Sequence, residues 1–209
     1  MWGLTIGLMG VASIVGLLLP AFDEGSVAEV LGGFAGGVAF LALTRQQLEL
    51  HEVGGAGLTG AGVRRSILVF VVLLVHSLPE GLAIGTAYAS DTEGLSLFVI
   101  LAIGLQNVPE GTSVAIPMDE AGYSPARQYW AAVLTSAPQP LGAAGAFLLV
   151  EVVHPLLPIS FGFAAGAMLA IVAVELVPDA FARGHRVQAV GGTAVGAGLM
   201  LLLAALLGV

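Results

Sequence analysis

Cysteine and lysine are both absent from this chain of 209 residues. Without cysteine there can be no disulfide, no thiolate metal ligand and no cysteine nucleophile. Without lysine, the six basic residues are all arginine, set against 14 acids for a net charge of −8. That balance provides no basic patch and excludes nucleic acid as a partner. Charge of either sign is scarce, at 10% of residues, against roughly 25% in soluble domains. What fills the chain instead is apolar: 57% of residues are hydrophobic and the mean hydropathy is +1.00. Thirty glycines and 10 prolines accompany them, a combination tolerated in membrane helices, where small residues let backbones approach closely. The composition predicts an all-α, polytopic membrane helix bundle whose main surroundings are a lipid bilayer.

A bilayer core of about 30 Å needs roughly 20 apolar residues per helix. Seven runs of about that length, each ended by charges or turn residues, lie at 3–22, 28–48, 66–89, 95–118, 128–150, 155–177 and 187–208. They are read as one transmembrane domain covering 1–209, with a glycine-rich cytoplasmic linker at 49–65. The arginines orient it. Arg45, Arg64 and Arg65 flank the second connection, Arg127 precedes the fifth run, and Arg183 and Arg186 separate the sixth from the seventh. With seven spans these connections share one side, while the side carrying Asp23, Glu24, Asp91, Glu93 and Glu151 has no arginine. Positive residues stay inside, so the N-terminus is expected in the cytoplasm and the C-terminus outside, in the cell membrane.

The third and fourth runs carry similar hexapeptides, HSLPEG at 76–81 and QNVPEG at 106–111. Both fall near the centre of their runs, which places them at the bilayer midplane on antiparallel neighbours. A bare carboxylate there costs at least about 2.5 kcal/mol, and two would repel each other. The spacing supplies a remedy. His76 and Glu80 are one helical turn apart, as are Gln106 and Glu110, so each pair projects from one helix face. Facing helices would bring together two carboxylates, an imidazole and an amide, a donor set for a divalent cation. Pro79 and Pro109 leave the carbonyls of Val75 and Leu105 without helical donors, kinking each helix, and Gly81 and Gly111 allow close approach. Interrupted helices around a midplane site recur in transporters. A lone membrane histidine commonly just bridges helices, and PEG alone is a three-letter match; two copies at matched depth with matched partners favour the metal reading.

Other polar residues have plainer alternatives. Thr135, Ser136 and Gln139 lie near mid-depth where Pro138 and Pro140 break the fifth run, so Gln139 either lines the same cavity or satisfies freed carbonyls. Glu175 and Asp179 form an acidic pair one turn apart at the cytoplasmic end of the sixth run, a candidate exit path or a solvated helix end. Glu49, His51 and Glu52 in the linker are a poor metal trap with a single histidine. Met9 is either core packing or a soft thioether ligand, packing being the default.

With these motifs in place, the chain resembles the ZIP (Zrt/Irt-like) divalent metal transporters, in particular their short prokaryotic branch. That family carries a PEG motif with histidine on two adjacent central helices. HSLPEGLAIG and LQNVPEGTSVAIPM are similar to those helices, TSAPQPLGAAG resembles the next, which usually holds Glu-Pro-Leu-Gly, and GFAAGAMLAIVAVELVPDA at 162–180 resembles the penultimate one. The family has eight spans, and the first run here looks like its second. The resemblance therefore implies a ZIP-like fold lacking the family's first helix. It also implies a main metal site of His76, Glu80, Gln106 and Glu110, with Met9 as an extra candidate ligand, and a homodimer as the assembly. The family's adjacent second metal position uses an asparagine, an aspartate and a glutamate where this chain has Ser77, Asn107 and Gln139. Two carboxylates have become amides, so the second position is expected to be degenerate and the protein to handle one ion at a time.

The function expected from all this is transport of a divalent cation, with zinc uptake foremost. Fe²⁺, Mn²⁺, Cd²⁺ and Co²⁺ suit the same donors. Two alternatives are a membrane protein that binds metal without moving it and an intramembrane metallohydrolase. The second is disfavoured because no H-E-x-x-H helix is present and His76 is the single histidine at membrane depth, so no enzyme activity is expected.

Overall fold

The computed structural model describes residues 2–50, 61–153, 156–182 and 186–209. Among the described residues all regular structure is helical, and seven helices are long and apolar enough to cross a membrane. We label them α1 (Trp2–Glu24), α2 (Val27–Gln47), α3 (Val69–Ala89), α4 (Leu95–Glu120), α5 (Pro125–Val150), α6 (Leu156–Phe181) and α7 (Arg186–Leu207). The chain is thus a multi-pass membrane helix bundle, as the composition predicted.

Local chemistry sets several helix ends. At the start of α2, Ser26 and Glu29 form a capping box: the Glu29 N–H donates to Ser26 Oγ at 3.3 Å, and the Ser26 N–H to Glu29 Oε2 at 2.8 Å. Proline shapes three of the helices. In α1 a π-helical turn, Ile14–Leu18, ends two residues before Pro20, and in α6 another, Val172–Leu176, ends two residues before Pro178. A wider turn accommodates a ring that lacks an N–H to donate. In α5 the first segment closes at Thr135, and Pro138 opens the second. By contrast α3 and α4 run through Pro79 and Pro109 without interruption.

The helices pack in pairs, α1 with α7, α2 with α6 and α3 with α5, while α4 and α6 both lie against α3. Such contact needs small residues. A Cβ on Gly37 of α2 would run into the carbonyl oxygen of Phe163 in α6, so only glycine permits that approach. Helices α1 and α6 are central, each with 61% of its apolar window buried, against 17% for α7. The core is built around Met9, Phe98, Phe161 and Met168. The exposed Leu201, Leu202 and Leu206 of α7 present an apolar face suited to lipid.

Candidate metal centre

On α3, His76 and Glu80 project from one face, and on α4 so do Gln106 and Glu110; all four are buried. Ligand atoms of His76, Glu80 and Glu110 lie within 4.8 Å of one another. His76 Nε2 is 3.6 Å from Glu80 Oε1 and 4.0 Å from Glu110 Oε1. Gln106 completes the group by donating from Nε2 to Glu80 Oε1 at 2.6 Å. A carboxylate only accepts, so this bond also fixes which end of the amide points elsewhere. Four buried polar atoms in the cluster have no hydrogen-bond partner: both ring nitrogens of His76, Gln106 Oε1 and Glu110 Oε1. Orphaned buried acceptors are costly, and this many in one cluster indicates a site built for something other than its own internal bonding.

The three positions expected from the resemblance to form a degenerate second position also lie here. Ser77 is buried beside His76 on α3. Asn107 and Gln139 exchange a pair of amide hydrogen bonds, Asn107 Nδ2 to Gln139 Oε1 at 3.2 Å and Gln139 Nε2 to Asn107 Oδ1 at 3.1 Å. Gln139 Nε2 donates as well to Glu80 Oε2 at 2.6 Å. The Gln139 side chain thus bonds to Glu80 and Asn107, on the two neighbouring helices. Its neighbours on α5 serve the helix instead: Thr135 Oγ1 donates to the carbonyl of Ala132 and the Ser136 N–H to that of Val133.

The remaining candidates lie elsewhere. Met9 is buried in the apolar core cluster with Leu8, Ala12 and Ala83. Glu175 sits half-buried in the π turn of α6 under the field of Arg45, with Asp179 exposed one turn on. Both stand apart from the His76 group. On the opposite end of the bundle, Glu24 accepts from Ser90 Oγ at 3.1 Å, tying the end of α1 to the α3–α4 connection. His51 and Glu52 lie outside the described residues, as do His154, Arg183 and His185.

One turn from the cluster on the Glu24 side, a cavity of about 10 Å³ is walled by Ala12, Leu17, Ala83, Val99, Ala102, Ile103 and Met168. That layer is apolar throughout. On the other side, an open groove of about 760 Å³ between α4 and α5 runs from Gln128 and Tyr129 past Thr112 to Asn107.

Fold and cluster together define a polytopic membrane protein with a buried histidine–carboxylate centre shared by two adjacent helices. The chain belongs to the ZIP zinc transporter family, whose profile matches residues 42–204. Among similar proteins is one from Arabidopsis thaliana with a provisional zinc-transporter name, 37% identical over 86% of this chain and 29% of its own length. Zinc transporter GufA of Myxococcus xanthus is 36% identical over 73% of this chain and 61% of its own. Zinc transporter ZIPB of Bordetella bronchiseptica is 33% identical over 100% of this chain and 71% of its own. The chain thus spans less than a third of the first of these relatives and about three fifths of the second.

Proposed function

We propose that this protein carries a divalent cation, zinc foremost, inward across a cell membrane through a midplane site made by His76, Glu80, Gln106 and Glu110. The observation that carries this reading is the convergence of His76, Glu80 and Glu110 ligand atoms within 4.8 Å, with His76 Nε2, Gln106 Oε1 and Glu110 Oε1 left unpartnered. One imidazole, two carboxylates and an amide oxygen are the donors a borderline cation such as Zn²⁺ takes. The cation would offset the two buried carboxylates that α3 and α4 otherwise set against each other. Midplane depth is supported by the span bounds, since Val69–Ala89 and Leu95–Glu120 have their middles near Pro79 and Asn107. Relatives named as zinc transporters support the choice of cargo.

The closed apolar layer on one side of the cluster and the open groove on the other, mostly apolar but with Asn107, Thr112 and Gln128 along it, suit a site that meets one face of the membrane at a time. Because amides hold the places of two carboxylates at Asn107 and Gln139, the protein moves one ion per cycle. The test is zinc flux into proteoliposomes with the purified protein. Glu80→Gln combined with Glu110→Gln is expected to reduce uptake to that of empty vesicles. Uptake at the wild-type rate in that variant would remove the site, and wild-type protein that binds zinc without flux would make it a binder only.

A further inference from the structure

Gln139 belongs to a different helix from the four donors, yet its contacts decide how one of them is presented. Both of its N–H groups are used, one on Glu80 Oε2 at 2.6 Å and one on Asn107 Oδ1 at 3.1 Å. Its own oxygen accepts from Asn107 Nδ2 at 3.2 Å. Since a carboxylate can only accept, the amide cannot be turned round without setting oxygen against oxygen. The backbone is equally fixed, because Gly81 on α3 lies so close to the carbonyl of Gln139 that a Cβ there would collide with it. Glu80 is therefore held at both ends. Oε2 faces the Gln139 amide, while Oε1 accepts from Gln106 and lies nearest the His76 ring.

We infer that Gln139 is a specificity-determining residue of the proposed transport site: by holding Glu80 Oε2 it limits Glu80 to one cation-facing oxygen. The inference rests on the reading of His76, Glu80, Gln106 and Glu110 as that site. With one oxygen taken from each carboxylate, the donors are His76 Nε2, Glu80 Oε1, Gln106 Oε1 and Glu110 Oε1. Four atoms make a set for a four-coordinate ion such as Zn²⁺. Ions that prefer six oxygen-rich ligands, Mn²⁺ among them, gain from a carboxylate that chelates with both oxygens, and the Gln139 amide opposes this by fixing the carboxylate with Oε2 toward α5 and Oε1 nearest His76. Selectivity here comes from the number of donors offered, since affinity order alone does not separate these metals. Asn107 in turn keeps the Gln139 amide in place, so the pair acts as a clasp from α4 and α5 onto the α3 carboxylate.

Two measurements test this. In proteoliposomes, zinc and manganese compete for uptake by the wild-type protein and by Gln139→Met, which has similar length and no N–H. The zinc preference of the variant is expected to fall by about tenfold or more. In parallel, X-ray absorption at the zinc edge is expected to find four nitrogen or oxygen neighbours in zinc-loaded wild type and at least five in Gln139→Met. An unchanged preference together with an unchanged neighbour count in a folded variant overturns the inference. Five or more neighbours in the wild type overturn it as well, a result that needs no variant to fold. If the wild type takes up neither metal, the transport reading falls on its own, while the neighbour count still decides the clasp. If Glu80→Gln with Glu110→Gln abolishes flux and Gln139→Met leaves the preference untouched, only the clasp is lost.

Discussion

At the scale of single residues, Asn107 and Gln139 show how an uncharged pair can occupy ground suited to a cation. Two primary amides side by side satisfy each other with two hydrogen bonds and leave one N–H for Glu80. Two carboxylates in the same places would repel, and only a positive ion between them would make the arrangement stable. Asn107→Asp combined with Gln139→Glu is therefore expected to raise bound zinc from one to two ions per chain, counted by elemental analysis of the purified protein. The same variant stripped of metal is expected to melt below the wild type. A count that stays at one would show that these positions never form a second cation site in this chain. Much of the cluster was legible because His76 with Glu80 and Gln106 with Glu110 are each one turn apart, a relation internal to one helix. The bond from Gln139 to Glu80 was not, because it depends on how closely α5 approaches α3.

That approach is a matter of elements, and Gly81 controls it. A Cβ on Gly81 would meet the backbone carbonyl of Gln139, a contact that no side-chain rotation relieves. Gly81→Ala should push α3 and α5 apart, costing about 1–3 kcal/mol as overpacking does, and should loosen the amide held on Glu80. A lower melting temperature and slower zinc uptake are the readouts. Gly104→Ala is the control: no atom lies within 4 Å of a Cβ there, so the substitution should leave both readouts near wild type or raise stability slightly. A Gly81→Ala protein as stable and active as this control would mean that the α3–α5 contact is not close in the working protein. The spans themselves were readable from apolar run length and terminating charges, including the break in α5 before Pro138. The π turns at Ile14–Leu18 and Val172–Leu176 were not, since one residue of extra winding leaves composition and hydropathy unchanged. The proline after each turn was visible, but proline is equally compatible with the uninterrupted course seen at Pro79 and Pro109.

For the molecule as a whole, the arginines and the fold make one statement about orientation. Arg45 near the end of α2, Arg127 in α5 and Arg186 at the start of α7 fall at one end of a bundle whose helices alternate in direction. At the other end, Glu24 accepts from Ser90 and Thr92, so the acidic end of α1 and the α3–α4 connection share a side. Positive residues resist translocation, so the arginine end is expected in the cytoplasm and Asp91 outside. With that orientation the open groove, beginning at Gln128 beside Arg127, would face inward, and the apolar layer around Ile103 would lie between the His76 cluster and the exterior. The absence of cysteine makes this unusually direct to test, because one introduced thiol is the single labelling site. Asp91→Cys should react with a membrane-impermeant maleimide in intact cells. Arg127→Cys, equally exposed on the bundle, should react only after the membrane is permeabilised. The opposite pattern would invert the protein in its membrane, and with it the proposed direction of metal movement, while leaving the His76, Glu80, Gln106 and Glu110 cluster unaltered.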